Sequence, residues 1–432
     1  MKESPRLSLP EASKEQQSHS NELLARICQR IRESGPLPFA DYMQAALYEP
    51  GFGYYVSGQP VFGDAGDFQT SPMVGSLFAE CIARQCMQVL DSLHETAVDD
   101  AKPTAEAYSE FQELSTQPLG VLEFGAGNGD LAAVVYEKLC MACTERGVAP
   151  PIYHILETSA VLRQRQQQRL QHLQSVQGAS IEWHTALPDS FAGMVIANEV
   201  LDAMPVERIR WQGGRFEQMF VATPGESEEN CLLAEFQPLA DDLAAGLLRS
   251  HSVLLEQVAD GYVFEWNRYL PGWFKALADT LNRGAVVLVD YGYPRREYLL
   301  PERSDGTLMC YLRHHAHDDP FHLPGVQDIT AHVDFTAVAE AGDAAGFELN
   351  GYSTQAAFLK ANGLLDIAAE RVSNLPRLDL ADERITELKT MQEVKTLTLP
   401  GSMGERFQVI GFSRGLDFAL QGFTLEDLSH RL

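Results

Sequence analysis

A run of apolar residues that closes on an acid and breaks into alternating glycines constrains this chain more than any other feature. Residues 119–124 read as a buried parallel strand, with Glu123 at its end. Gly125, Gly127 and Gly129 follow, and residues 131–139 then carry apolar side chains at helical spacing. The order is strand, tight turn, helix. Glycines in such a turn reach positive φ and leave backbone N–H groups uncovered by a Cβ, so a ligand can approach the helix N-terminus. A dinucleotide fingerprint would need its third glycine at position 130, where Asp130 stands. The pattern is E-x-G-x-G-x-G instead, and a strand-end carboxylate suits an ammonium group better than a pyrophosphate. An ordinary strand–helix turn would look the same, so other segments have to decide.

That turn resembles motif I of the class I S-adenosylmethionine (SAM) methyltransferases, where it faces the amino-acid part of the cofactor. The surrounding rhythm agrees. Strands are predicted at 152–157, 181–184, 194–198, 285–290, 347–352 and 407–412, with helices at 160–174, 267–281, 335–345 and through 355–395. Strands alternating with helices in this way give right-handed βαβ units and an α/β fold: a doubly wound, Rossmann-like sheet. Residues 206–211 and 215–221 flank Gln212-Gly-Gly214, a hairpin signal. The expected organisation is a disordered tail over 1–20, then an N-terminal helical region over 21–118. A methyltransferase core spans 119–205 and 284–415, with a hairpin and helical insertion on the substrate side over 206–283. A C-terminal tail covers 416–432. Segment 222–260 reads as acidic surface structure and 291–334 as an irregular excursion.

The net charge is −27, which repels phosphate backbones. Nucleic acid is therefore an unfavourable partner, and a basic, arginine-presenting protein client a favourable one. The seven cysteines are odd in number and scattered, as suits a reducing compartment. Cys140 and Cys143 form a C-x-x-C inside a helix, without a second pair, and read as buried or half-buried thiols ahead of a metal or redox pair. No 18-residue apolar run exists to span a membrane, and residues 1–20 lack the apolar core of a secretion signal.

In a doubly wound sheet the ligand sits beyond the carboxyl ends of the strands. The second strand ends at Glu157, placed to accept both hydroxyls of a ribose; a solvated helix-cap acid is the plainer reading. The fourth ends in Asn198-Glu-Val-Leu-Asp-Ala-Met-Pro205, which sets Asn198 at the cofactor and two carboxylates, Glu199 and Asp202, over its mouth. Enzymes that methylate amino groups of bases often carry N-P-P-aromatic here, to stack a flipped base. Carboxylates suit a guanidinium instead, which is charged at every physiological pH and pairs with them in bidentate fashion. Glu199, Asp202 and Glu265 are the candidates, with an exposed acid in an acid-rich chain as the alternative for each. His332 lies in Asp328-Ile-Thr-Ala-His-Val-Asp-Phe335, where it could accept the proton released on methylation or serve a helix cap and core. His314, His315, His317 and His322 crowd together without a regular element to fix ligand geometry, so a substrate-side loop is expected there and no metal.

Seven motifs occur in order: Gly35-Pro-Leu-Pro-Phe-Ala-Asp-Tyr-Met43, Tyr48-Glu-Pro-Gly-Phe-Gly-Tyr-Tyr55, Gly66-Asp-Phe-Gln-Thr-Ser-Pro72, the glycine turn, Ala197-Asn-Glu-Val-Leu-Asp-Ala-Met-Pro-Val206, Asp290-Tyr-Gly292 and the Asp328–Phe335 segment. Together they resemble the MidA-like methyltransferases. The resemblance covers roughly 23–415. It implies a class I fold with added helical segments and SAM as cofactor. In the mitochondrial branch it implies arginine methylation of a core subunit of respiratory complex I, in the course of that complex's assembly. It also implies that Asp67, Thr70, Ser71 and Pro72 help enclose the cofactor. Gln69 stands where relatives tend to carry an aliphatic residue, and 95–117 and 222–260 match poorly. Without an evident presequence, a bacterial cytoplasmic member is the expectation. The reading is a SAM-dependent protein-arginine methyltransferase. The rivals are an assembly factor that binds its client without needing SAM chemistry and a small-molecule methyltransferase; a homodimer is left open.

Overall fold

A computed structural model describes residues 9–58, 75–99, 118–224, 231–255, 258–373 and 380–432. The chain divides into two units. The larger comprises Thr70–Leu201, Leu270–Pro294 and Val333–Leu432. Its sheet is built from β1 (Gly120–Phe124), β2 (Ile152–Leu156), β3 (Ser180–His184), β4 (Phe191–Asn198), β5 (Leu281–Tyr293), β6 (Glu348–Thr354) and β7 (Phe407–Arg414), in the spatial order β6-β7-β5-β4-β1-β2-β3. Strands β1 to β5 pair in parallel, and β7 runs antiparallel to both neighbours. This is the doubly wound, class I methyltransferase arrangement that the resemblance implied. The strand order reverses between β4 and β1, which puts a switch-point crevice beyond their carboxyl ends.

The central strands are buried because their sequences are apolar on both faces. Ala285 to Val289 of β5 are at most 1% exposed. On one side Val121, Tyr153, Ile155, Met194, Ile196, Val287 and Val289 pack with helices Leu77–Asp99 and α1 (Asp130–Arg146). Phe274 stacks edge-on against Phe412, with centroids 5.2 Å apart, in a separate aromatic cluster that includes Phe347. Cys140 and Cys143 fall in α1, as read; both are free thiols, and burial pushes Cys140 up to about 11.

Three glycines lie abreast across the middle of this sheet: Gly120 pairs with Gly193, and Gly193 with Gly284. Gly193 and Gly284 hold φ of 140° and 147°, a region closed to other residues. A Cβ at Gly284 would stand 1.8 Å from the Gly193 carbonyl oxygen, and backbone cannot step aside as a side chain can. Gly284→Ala is therefore expected to destabilise the protein by about 3 kcal/mol or more, read from the denaturation midpoint.

Residues 416–432, expected as a tail, are part of this unit. Leu420 and Phe423 are buried in its core, and the Gly422 N–H donates to Gln85 Oε1 at 2.9 Å. Widely spaced apolar residues in a segment without a long regular element carry no periodic signal. Helix Leu77–Asp99 also belongs here and not to a separate N-terminal region.

The second unit comprises Met1–Gln69, Asp202–Tyr269 and Arg295–His332. Its helix Lys14–Ser34 starts on a capping box in which Ser13 and Gln16 satisfy each other's backbone N–H groups, so the expected tail over 1–20 is helical from Lys14. A five-stranded sheet runs Leu37–Pro38, Arg215–Ala222, Glu207–Gln212, Tyr262–Trp266, with Leu233–Pro238 on the Arg215–Ala222 strand. The hairpin forms where read, with Gly213 and Gly214 both at positive φ. Segment 222–260, however, supplies a strand and the helix Asp241–Leu255. The excursion 291–334 contributes a three-stranded sheet of Met309–Leu312, His315–His317 and Asp328–Thr330. Residues 295–332 thus leave the unit to which 284–415 was assigned, while 270–283 join it. No described helix is long and apolar enough to cross a membrane.

Candidate cofactor site

Beyond β1 the chain turns through Gly125, Gly127 and Gly129, at φ of 60°, 52° and 85°. All three are left-handed, which is why the turn needs glycines. Gly129 is the N-cap of α1 and no side chain caps it, so the first N–H groups of the helix are left to the turn and to whatever it holds.

Glu157, one residue past β2, is buried beside this turn. Its Oε1 accepts from the Ser159 N–H at 2.7 Å and its Oε2 from Gln166 Nε2 at 3.0 Å. Burial raises its pKa, and these hydrogen bonds act against the rise. The same Gln166 Nε2 donates to the Gly127 carbonyl at 2.9 Å, and Gln166 Oε1 accepts from Trp183 Nε1 at 3.1 Å. Gln166 is fully buried and fastens the turn to Glu157. Sequence reasoning passed it over inside a polar, Gln/Arg-rich helix. The signal was there: Leu162, Gln166 and Leu170 repeat at four-residue spacing and form the buried stripe of Ala160–Leu170.

Glu123 is placed differently from Glu157. Its side chain lies against the core, where the Tyr153 hydroxyl donates to Oε2 at 2.7 Å. Desolvation is the main cause that lifts its carboxyl to about 7; Tyr153 opposes the shift and Glu157 adds to it. At the end of β4, Asn198 Nδ2 donates to Glu199 Oε1 at 3.2 Å, and Asn198 Oδ1 is buried without a hydrogen-bond partner among the described residues. Glu199 then holds φ of 54°, left-handed without being glycine, and its N–H is fixed to the Val289 carbonyl at 2.9 Å. A non-glycine residue in that region carries strain and marks a position worth functional attention.

The remaining candidates are not among the described residues of this unit. Asp67, Thr70, Ser71 and Pro72 lie outside the described residues. Asp202, Glu265 and His332 belong to the other unit. There the Asp202 carbonyl accepts from the Ala331 N–H at 3.0 Å. Glu265 Oε2 accepts from the Thr307 N–H at 2.7 Å, from the Thr307 hydroxyl at 2.9 Å and from the Tyr298 hydroxyl at 3.1 Å, while Oε1 pairs with Arg208 at 3.4 Å. Through Oε2 this carboxylate holds the Thr307 turn in place, while Oε1 has the Arg208 ion pair and no hydrogen-bond partner among the described residues. The His332 N–H donates to Thr307 Oγ1 at 3.1 Å. Of the histidine group, His315 and His317 lie on a strand, and the His317 and His322 rings meet edge-on with centroids 5.6 Å apart.

The residues at the head of β1, β2 and β4 fit SAM. The left-handed turn exposes backbone donors, a buried acid, Glu157, is fixed beside it, and Asn198 Oδ1 is a buried acceptor without a hydrogen-bond partner among the described residues. A class I sheet with this turn defines a SAM-dependent methyltransferase. Residues 81–353 match the model of the family described as "Putative S-adenosyl-L-methionine-dependent methyltransferase", and the chain belongs to that family. A COG1565 superfamily member from Burkholderia thailandensis, solved with S-adenosyl-homocysteine bound, is 35% identical over 98% of this chain and 100% of its own, with a TM-score of 0.82. The native crystal structure of a COG1565 superfamily protein from the same organism is 36% identical, with the same coverage and a TM-score of 0.79. Among curated relatives, the Drosophila melanogaster "Protein arginine methyltransferase NDUFAF7 homolog, mitochondrial" is 26% identical over 94% of this chain and 88% of its own length. The Homo sapiens NDUFAF7 protein arginine methyltransferase is 24% identical over 89% and 82%.

Proposed function

We propose that this methyltransferase acts on an arginine side chain of a protein. The observation that carries the reading is the match over nearly its whole length to relatives named protein arginine methyltransferases. The strained Glu199 at the end of β4 supports it. In this reading Gly125, Gly127, Gly129, Glu157 and Asn198 hold the cofactor, with Asp67, Thr70, Ser71 and Pro72 closing over it. Glu123, its side chain held against the core by Tyr153, supports the turn from the strand end. SAM supplies an electrophilic sulfonium methyl. Glu199 pairs with two guanidinium nitrogens, draws positive charge onto them and leaves the third better able to take the methyl as the methyl–sulfur bond breaks; S-adenosyl-homocysteine is the leaving group, and the attacking nitrogen gives its proton to solvent. Asp202 is the second carboxylate of the same motif. Positioning and electrostatics account for most of the rate in such a displacement. The client is a basic, arginine-presenting protein, and a respiratory complex I subunit is the first to try.

The test incubates an extract from a strain lacking the gene with purified protein and methyl-labelled SAM, then hydrolyses the protein fraction. Label in ω-methylarginine is the expected result. Label confined to low-mass products would replace the reading with a small-molecule acceptor, and cofactor binding without label anywhere with a client-binding factor.

A further inference from the structure

Strands β2 and β3 bring together three side chains that the methyl-transfer site does not use. His154 stands opposite Glu182 in the parallel register, and Leu156 opposite His184. Glu182 and His184 are two apart in β3, so all three side chains project from one face of the sheet. Their donor atoms converge. His154 Nδ1 lies 2.9 Å from His184 Nε2, and Glu182 Oε2 lies 3.5 Å from the first and 3.7 Å from the second. All the donor atoms fall within 4.8 Å of one another.

Nitrogen and oxygen donors sit about 2.0–2.2 Å from a tetrahedral Zn2+, so ligand atoms around one ion are spaced about 3.4 Å apart. The observed triangle averages close to that spacing. An ion at bonding distance from all three would lie just out of their plane, which leaves a fourth position open. The surroundings hold the set in place. The Phe191 ring meets His154 edge-on at 5.5 Å, and the His154 and His184 rings are 5.1 Å apart. The His154 side chain is 12% exposed, that of His184 23% and that of Glu182 47%. Two imidazoles are thus largely enclosed, and the carboxylate is on the open side through which an ion would enter.

We propose that His154, Glu182 and His184 form a binding site for a borderline divalent transition ion, Zn2+ in the first instance. Two imidazoles and one carboxylate on an open tetrahedron suit that class of ion rather than Mg2+ or Ca2+. The ion ties the outermost strand β3 to β2. It does so near a contact that matters to the cofactor site, because the Glu157 N–H donates to the His184 carbonyl at 2.9 Å.

The test uses the untagged full chain, stripped with a chelator and titrated with Zn2+ by calorimetry and with Co2+ by visible absorption. One saturable equivalent is expected, with a Co2+ band typical of four-coordination and a rise in Tm. His184→Gln and Glu182→Gln should each weaken binding at least about 100-fold, since loss of a ligand costs no less than loss of its supporting partner. A variant with His314, His315, His317 and His322 all changed to Gln should keep the equivalent. Circular dichroism, measured in parallel, reports whether each variant is folded; should His184→Gln fail that check, the more exposed Glu182→Gln decides. Absence of saturable binding, binding unchanged in Glu182→Gln, or binding lost with the four other histidines would each overturn the site. It would leave the three residues as a hydrogen-bonded cluster on the strand edge.

Discussion

Gly127→Val is expected to lower affinity for SAM at least about 100-fold, measured by calorimetry with SAM or S-adenosyl-homocysteine. Two effects add. Gly127 sits at φ of 52°, and a β-branched residue in the left-handed region is strained by about 1–2 kcal/mol or more. The new side chain would also stand among the backbone donors that the turn presents. The strain alone is not site-specific, so a second variant separates the two. Gly147, just past α1, has φ of 68° with nothing within 4 Å of an added Cβ. Gly147→Val should lose stability and keep its cofactor. Equal loss of binding in both would mean that the turn matters only through the fold, and retained affinity in Gly127→Val would refute its role outright.

Glu199→Gln should leave cofactor affinity within a few-fold and reduce methyl transfer to protein about 100- to 1,000-fold, the range seen when one charge-stabilising group is removed from a reacting centre. Gln keeps the size of the side chain and tolerates the same backbone, so the change isolates charge. The glutamine amide cannot draw positive charge onto the guanidinium nitrogens that it meets. The readout is single-turnover labelling at saturating cofactor. Unchanged transfer would remove Glu199 from the chemistry while leaving the chain a methyltransferase.

The parts of the molecule that were legible in the sequence share a physical cause. β1, its turn and α1 were readable because burial on both faces, left-handed backbone and helical spacing all leave local marks. So were β4 and the Gln212–Gly214 hairpin. Strand Leu233–Pro238 was not: its side chains are largely exposed and its existence depends on pairing with Arg215–Ala222, a relation no local window contains. The division of the chain into units was missed for the same reason, since 202–269 and 295–332 meet only in space. Glu265 could not be judged from sequence because its hydrogen-bond partners come from Tyr298 and Thr307. Gln166 shows the opposite case: its four-residue spacing with Leu162 and Leu170 is present in the sequence, inside a helix that is otherwise polar.

The position of β7 has a consequence in time. It is made after every other strand of its sheet, yet it lies between β5 and β6, pairing with β5 from Gly284↔Arg414 to Tyr291↔Phe407 and with β6 over most of its length. While the ribosome is still adding residues up to 406, β5 keeps one apolar edge with open backbone donors and acceptors, and β6 has no strand to join. Such edges recruit foreign strands. The closing pairs are also far apart in sequence, which makes them slow to find. This methyltransferase sheet is completed from its far end, and a nascent chain must keep its central edge covered until the last strand arrives.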